Sequence, residues 1–209
     1  MKSSVVALLL FSVSTGPLAQ TPAQVMTSSS GEFRFEYYPP LVRCARSPAQ
    51  SADGGAWLPD ASCQTAVCED QDSPSASTDA CLAYAGDEFS GKVAFGAAAF
   101  FVAEVQTAVT ENVCLQGEPG WTHQSGGTSR IAAEPAAQFR SEERWMMHYR
   151  ESVIYRVFHR GKCYELGIQR VHNSTGPYDP GTFKEFTPQD EATVQHRLGQ
   201  ALQTFRFLN

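Results

Sequence analysis

From Phe33 onward the chain sets a large apolar side chain at every second position, with Phe33, Phe35 and Tyr37 alternating with Glu32, Arg34 and Glu36. A period of two with aromatics on one side predicts a half-buried strand, and Pro39-Pro40 ends it because proline brings no N–H to a ladder. Residues 81–84 form a short apolar piece. Residues 93–105 are nearly all apolar; the alanine run there tolerates a helix, but Phe100, Phe101, Val102 and Val105 predict a buried strand at its end. Residues 111–114 read as a turn or short helix. The clearest signal follows. Residues 139–147 and 153–158 pair, the chain turns at Arg160-Gly161, and 163–168 return. On that return strand Tyr164, Leu166 and Ile168 share one face, opposite Cys163, Glu165 and Gln169. Thr187 is an N-cap for a last helix, with Pro188 in the first turn and Asp190 and Glu191 at the positive end of the dipole. Ala192, Val194, Leu198, Ala201 and Leu202 fall at helical spacing, and Phe205 and Phe207 follow in a short strand or extended tail. With no internal repeats, these elements predict an α+β domain, an antiparallel sheet with packed helices.

The apolar-poor stretches divide the chain. Met1-Lys2-Ser3-Ser4, a short apolar run from Val5 to Phe11 and small residues up to Ala19 have the three parts of a secretory leader. The run is too short to span a bilayer, which takes roughly 20 residues. We therefore expect a signal peptide at 1–19, a flexible lead-in at 20–30 and one domain at 31–209. From 47 to 79 the composition turns to Ala, Ser, Asp, Pro and Gly, which predicts a cysteine-rich loop insertion at about 44–81. Residues 172–184 are another loop.

Hydrophobic residues at 42% are enough for a core, and the formal net charge of −6, with scattered Lys and Arg, excludes a polyanion-binding surface. Nucleic acid is not an expected partner. No later segment is apolar enough to cross a membrane, so a secreted or periplasmic monomer with an unidentified protein or small-molecule ligand is expected. Cys44, Cys63, Cys68, Cys81, Cys114 and Cys163 are even in number, which in an exported chain reads as disulfides. Six cysteines allow 15 full pairings; the expectation is 63–68, 44–81 and 114–163. No close Cys or Cys/His pair completes a tetrahedral metal set, and Glu69, Asp70 and Asp72 lack the glycine and closing glutamate of a calcium loop. No metal and no cofactor is expected.

Catalytic signatures are absent: no phosphate loop, no Gly-x-Ser-x-Gly elbow, no carboxylate pair singled out among 22 acids. Asn173-Ser174-Thr175 fits the glycosylation pattern by near-chance. Two surfaces remain. Trp121, Trp145, Tyr149 and Tyr155 could present aromatics to a ligand. The alternative is an enzyme site built from His148, His159 and Glu165, a hydrolase or metal-dependent centre. His159 stands four before Cys163, but a cysteine in an even set is expected oxidised rather than nucleophilic. The leading expectation is a non-catalytic accessory or binding domain.

The stretch Tyr155-Arg156-Val157-Phe158-His159-Arg160-Gly161-Lys162-Cys163-Tyr164-Glu165-Leu166 resembles one found in uncharacterised secreted bacterial proteins. Trp57 with Cys63 and Cys68, residues 97–105, Cys114-Leu115, Asp179-Pro180-Gly181 with Phe186-Thr187, and the ending Thr204-Phe205-Arg206-Phe207-Leu208 carry the same likeness over most of 33–208. More loosely, the layout resembles the PsbP-like fold, an α/β/α sandwich around an antiparallel sheet. The aromatic strand running into Pro40, the Gly161-Lys162-Cys163-Tyr164-Glu165-Leu166 return, and a final helix from Thr187 to Thr204-Phe205 carry it. The cysteine-rich insertion departs from that pattern. The resemblance implies an accessory or binding role and brings no catalytic residues, and fold alone assigns no function.

Overall fold

The computed structural model describes residues 21–46, 57–58, 68, 76–84, 89, 91–92, 94–123, 129–174 and 184–208. The expected leader, Glu69, Asp70, Asp72, Cys63 and most of the cysteine-rich insertion lie outside these residues.

The alternation at Phe33 builds β2 (Phe33–Tyr37), whose three aromatic residues are buried and whose Arg34 and Glu36 are exposed. Its partner is β1 (Gln24–Thr27), with Met26 opposite Phe35. β1 falls within the stretch expected as the lead-in. A four-residue strand with one buried side chain is too short to show a period, and it is held by pairing rather than by its own pattern. Beyond β3 (Leu41–Arg43) and the two-residue strands β4 (Ala45–Arg46) and β5 (Trp57–Leu58) come β6 (Ala76–Tyr84) and β7 (Phe95–Val105). The alanine run of β7 is extended throughout. Ala98, Phe100 and Val102 pack on one side of the sheet, and Ala97, Ala99 and Ala103 pack beneath cysteines on the other. A strand buried on both faces reads as continuous apolar sequence.

After α1 (Glu111–Cys114) and β8 (Thr122–His123), the chain forms β9 (Ser129–Ile131), β10 (Glu134–Trp145), β11 (His148–His159) and β12 (Lys162–Asn173). The main sheet runs β3-β6-β7-β12-β11-β10-β8, with β9 on β10. The last three long strands have twelve residues each, longer than their apolar cores predicted. Two of the connecting turns bend sharply: Arg160-Gly161, between β11 and β12, has φ of 50° and 81°, and Ala132-Ala133, between β9 and β10, has 51° and 73°. Such turns favour Asn-Gly. Each alanine held there costs about 1–2 kcal/mol.

The helix α2 (Pro188–Thr204) is capped by Thr187, whose hydroxyl accepts from the Asp190 N–H while Asp190 accepts from the Thr187 N–H. Val194, Leu198 and Ala201 are its buried stripe; Ala192, expected there, is exposed because the stripe is narrower than the spacing allowed. β13 (Arg206–Phe207) then joins β1 and β2 in a three-stranded sheet. This small sheet and α2 cover one face of the main sheet, burying Phe33, Phe35, Phe100, Leu166, Leu198 and Phe205 together. The opposite face carries the cysteine cluster at one end and Phe139, Ile154 and Trp121 at the other. The fold is thus mostly antiparallel sheet with two helices. Of the two helical layers implied by the PsbP-like resemblance, the second is only the four-residue α1 among the described residues.

Cys114 and Cys163 are bonded, as expected. Cys68 is bonded to Cys81, which replaces both the 63–68 and the 44–81 pairings. Cys44 does lie beside Cys81, its N–H donating to the Cys81 carbonyl at 3.0 Å. Adjacent strand positions did not decide the bond, because Cys68 reaches Cys81 from above the sheet with a Cα separation of 5.7 Å. Cys44 is itself disulfide-bonded, to a partner outside the described residues.

Candidate functional site

The strands scatter the residues that the sequence offered as sites. His148 opens β11 and His159 closes it, so eleven steps of about 3.3 Å put them roughly 36 Å apart. His148 is exposed and its Nδ1 lies 2.8 Å from Asn173 Oδ1. His159 stacks on Phe207, ring centroids 3.9 Å apart, and its Nδ1 lies 3.0 Å from Glu134 Oε1. Glu165 meets neither histidine. It is fully buried, on the face of the sheet opposite His159, and accepts from Arg156 Nε at 3.0 Å. The three residues therefore do not converge.

The aromatics do not form one surface either. Trp121 lies half-buried on the cysteine-cluster side of the sheet, over Phe139, with the Arg156 guanidinium 4.8 Å from its ring. Arg156, only 2% exposed, also donates to Glu118 at 2.6 Å. A buried cation held by two carboxylates and an aromatic face is a structural knot, because removing any partner leaves an uncompensated charge. Tyr149 donates to Glu151 at 2.8 Å and lies under the Arg144 guanidinium. Burial, and then that hydrogen bond, push its phenol up to about 12. Tyr155 stands on the α2 side, packed against the edge of the main core. Trp145 ends β10, and its side chain lies outside the described residues.

A different constellation does converge. Where β1 and β2 meet β6, β7 and β12, a cavity of about 540 Å³ is lined by Ser29, Glu32, Asp79, Glu104, Lys162 and Tyr164, among others. The elements supply these side chains by parity. Lys162 and Tyr164 are two apart on β12 and share the face that looks toward β2. Glu32 immediately precedes β2, and Glu104 lies opposite Tyr164 in the β7–β12 register. Lys162 Nζ lies 2.6 Å from Glu32 and 3.3 Å from Glu104. Glu32 accepts also from Tyr164 at 3.1 Å and Ser30 at 3.0 Å, while Ser29 donates to Asp79 at 2.7 Å.

These contacts fix the charge states. The Lys162 hydrogen bond, joined by those from Ser30 and Tyr164, holds the Glu32 carboxyl below its ordinary range against the opposing effect of burial. The same bond raises Lys162. Burial first, then the hydrogen bond to Glu32, drives the Tyr164 phenol well above its usual value. The sequence held half of this signal, in the paired parity of Lys162 and Tyr164. The other half, Glu32, lies 130 residues away along the chain. Among the described residues, the closest grouping of potential metal ligands is Cys44, Cys68 and Cys81, whose sulfurs lie within 4.8 Å of one another. All three are disulfide-bonded and so are not thiolates.

No helix among the described residues is long and apolar enough to cross a membrane. No protein-family model matches the sequence, a PsbP-like one included, and no curated protein matches it. Solved structures give weak likenesses. A crystal structure of a protein from Bacteroides thetaiotaomicron aligns with a TM-score of 0.42 at 8% identity, over 88% of this chain and 48% of that one, so this chain spans about half its length. The crystal structure of LpqN of Mycobacterium tuberculosis, described as involved in cell envelope biogenesis, aligns with a TM-score of 0.43 at 7% identity, over 90% of this chain and 91% of that one.

Proposed function

We propose that this protein is an extracytoplasmic accessory domain that binds a polar ligand and performs no catalysis of its own, with the Glu32–Lys162–Tyr164 cavity as its binding site. One observation carries this reading: Lys162, Tyr164 and Ser30 converge on Glu32 with hydrogen bonds of 2.6, 3.1 and 3.0 Å on the wall of one cavity, and the resolved shifts there, Glu32 downward and Lys162 and Tyr164 upward, run away from neutral pH. General acid–base catalysis works best with a group that titrates near the working pH. A site locked in its resting charges is suited instead to hydrogen bonding. Its rim offers carboxylates, an ammonium, a phenol and several hydroxyls, which match a ligand with both donors and acceptors, such as a saccharide or a dipeptide. Disulfides at Cys68–Cys81 and Cys114–Cys163 support an oxidising compartment, in keeping with the leader-like start of the sequence.

The test is a nitrogen-15 NMR titration with panels of neutral disaccharides and dipeptides. Saturable shifts confined to residues 29–32, 77–79, 104 and 162–164, lost in Lys162→Gln, are expected. Shifts clustered elsewhere, or unchanged in that variant, would reject this cavity as the site.

A further inference from the structure

A second cleft lies between the C-terminal turn of α2 and the β9–β10 hairpin. It encloses about 750 Å³, within the usual size range of small-molecule sites. Ile131, Leu202 and the ring of Tyr155 give it an apolar lining continuous with the main core. Its charged lining is two arginines, Arg130 from β9 and Arg206 from β13, which follows α2. No carboxylate of the described residues lines it, although the chain carries a formal net charge of −6.

This arrangement concentrates positive charge. Arg206 stands directly opposite Arg34 in the β2–β13 pair, where like charges repel. Glu36 lines the separate recess that Arg206 shares with Arg34, not this cleft. Each guanidinium spends some of its donors on its own wall, Arg130 on the Ala133 carbonyl and Arg206 on the Gln203 carbonyl. Five N–H donors per guanidinium leave the rest for an anion, and the planar fork suits a carboxylate. Burial holds the Tyr155 phenol above its ordinary value, with Arg140 acting in the opposite sense, so its hydroxyl remains a donor at neutral pH. The hairpin wall is also strained, with alanine at both left-handed positions of its turn. Strain of this kind gathers at ligand clamps.

We propose that this cleft binds a small amphiphilic monoanion, a carboxylate on an aliphatic chain, with the carboxylate between Arg130 and Arg206 and the chain along Ile131, Leu202 and the Tyr155 ring. The site is distinct from the Glu32–Lys162–Tyr164 cavity, and either can fail without the other.

The experiment is calorimetric titration of the purified protein with decanoate, its neutral isostere decanamide, and acetate. Decanoate is expected to bind at one site at least tenfold more tightly than decanamide or acetate, and to weaken as salt rises. Arg130→Gln and Arg206→Gln should each lower its affinity at least tenfold, the double variant should abolish it, and Lys184→Gln should leave it unchanged. Equal binding of decanoate and decanamide would overturn the ionic half of the proposal, and acetate binding as tightly as decanoate would overturn the apolar half. No decanoate binding by the unaltered protein, or full binding by a folded double variant, would overturn both. The comparison of the three probes on the unaltered protein needs no substitution and stands even if a variant fails to fold.

Discussion

Gly167 lies opposite Phe101 in the β7–β12 register, and a Cβ built there would meet the Phe101 ring at 2.1, 2.2 and 2.9 Å. Carbon atoms pack at about 3.5–4.0 Å, so the ring would have to retreat by roughly 1.4 Å. It has nowhere to go. Phe101 is 1% exposed and shares its cluster with Cys44, Cys68, Cys81, Ala97, Ala99 and Ala103, and the Cys68–Cys81 bond fixes part of that wall. Overpacking typically costs about 1–3 kcal/mol, and this site belongs at the upper end. A glycine replaced by alanine in an unobstructed strand should instead gain about 0.5–1 kcal/mol, so even the sign is diagnostic. Urea unfolding of the oxidised protein, followed by tryptophan fluorescence, measures it. Gly167→Ala is expected to lose about 3 kcal/mol. Phe101→Leu alone should lose about 1–2 kcal/mol, less than the 3–5 of full truncation. In the double variant the new methyl fills space the ring has vacated, so the combined loss should fall short of the sum by about 2 kcal/mol. Losses that add to within about 0.5 kcal/mol, or a neutral Gly167→Ala, would show that the ring does not close over this glycine.

Asp190 is held down to about 2 by the Lys92 ammonium first and then by the Thr187 amide and hydroxyl. Because its folded pKa lies below the ordinary value of 3.8, its stabilising effect is complete above about pH 4 and vanishes as pH falls toward 2. Asp190→Asn keeps a cap acceptor and loses the charge, so at pH 7 it should cost about 0.5–1 kcal/mol. The unfolding midpoints of the two proteins should converge between pH 4 and 2, and a gap independent of pH would contradict the assignment. At the β9–β10 turn, Ala132→Asn with Ala133→Gly relieves two strained alanines and should add about 1 kcal/mol, read as a melting temperature higher by about 2–4 °C in a chain of this size. A lower melting temperature would mean that the turn is not under strain.

Elements whose pattern is carried by their own residues were legible in the sequence. β2 shows its alternation in five residues, α2 announces its cap at Thr187, and β12 sorts Tyr164 and Leu166 from Cys163 and Glu165 by parity alone. β1 was not legible, since its place depends on Phe35 accepting Met26 across the pair. The alanines of β7 left helix and strand open because alanine fits either. What settles them as strand is the neighbour on each side, β6 and β12. The Cys114–Cys163 bond joins residues whose elements the sequence had placed. The Cys68–Cys81 bond joins β6 to a residue in a low-pattern stretch, and spacing alone holds no information about such a pairing.

The same division explains why the residues that the sequence offered as one site do not stand together. Sequence reasoning gathered His148, His159 and Glu165 as neighbours on adjacent strands, yet the two histidines stand at opposite ends of one twelve-residue strand and Glu165 faces away from His159. Both concave sites are assembled across long gaps instead: Glu32 with Lys162, and Arg130 with Arg206. Each lies where the three-stranded sheet or α2 stops short of covering the main sheet. A helix of seventeen residues spans only about 26 Å, and the twelve-residue strands of β10, β11 and β12 run to about 40 Å. α2 is therefore shorter than these strands, and the polar groups of the two clefts, already hydrogen-bonded among themselves or to their own walls, would share their remaining donors and acceptors with a ligand. The margins, at Glu32–Tyr164 and at Arg130–Arg206, are accordingly where substitutions should alter binding while leaving the core intact.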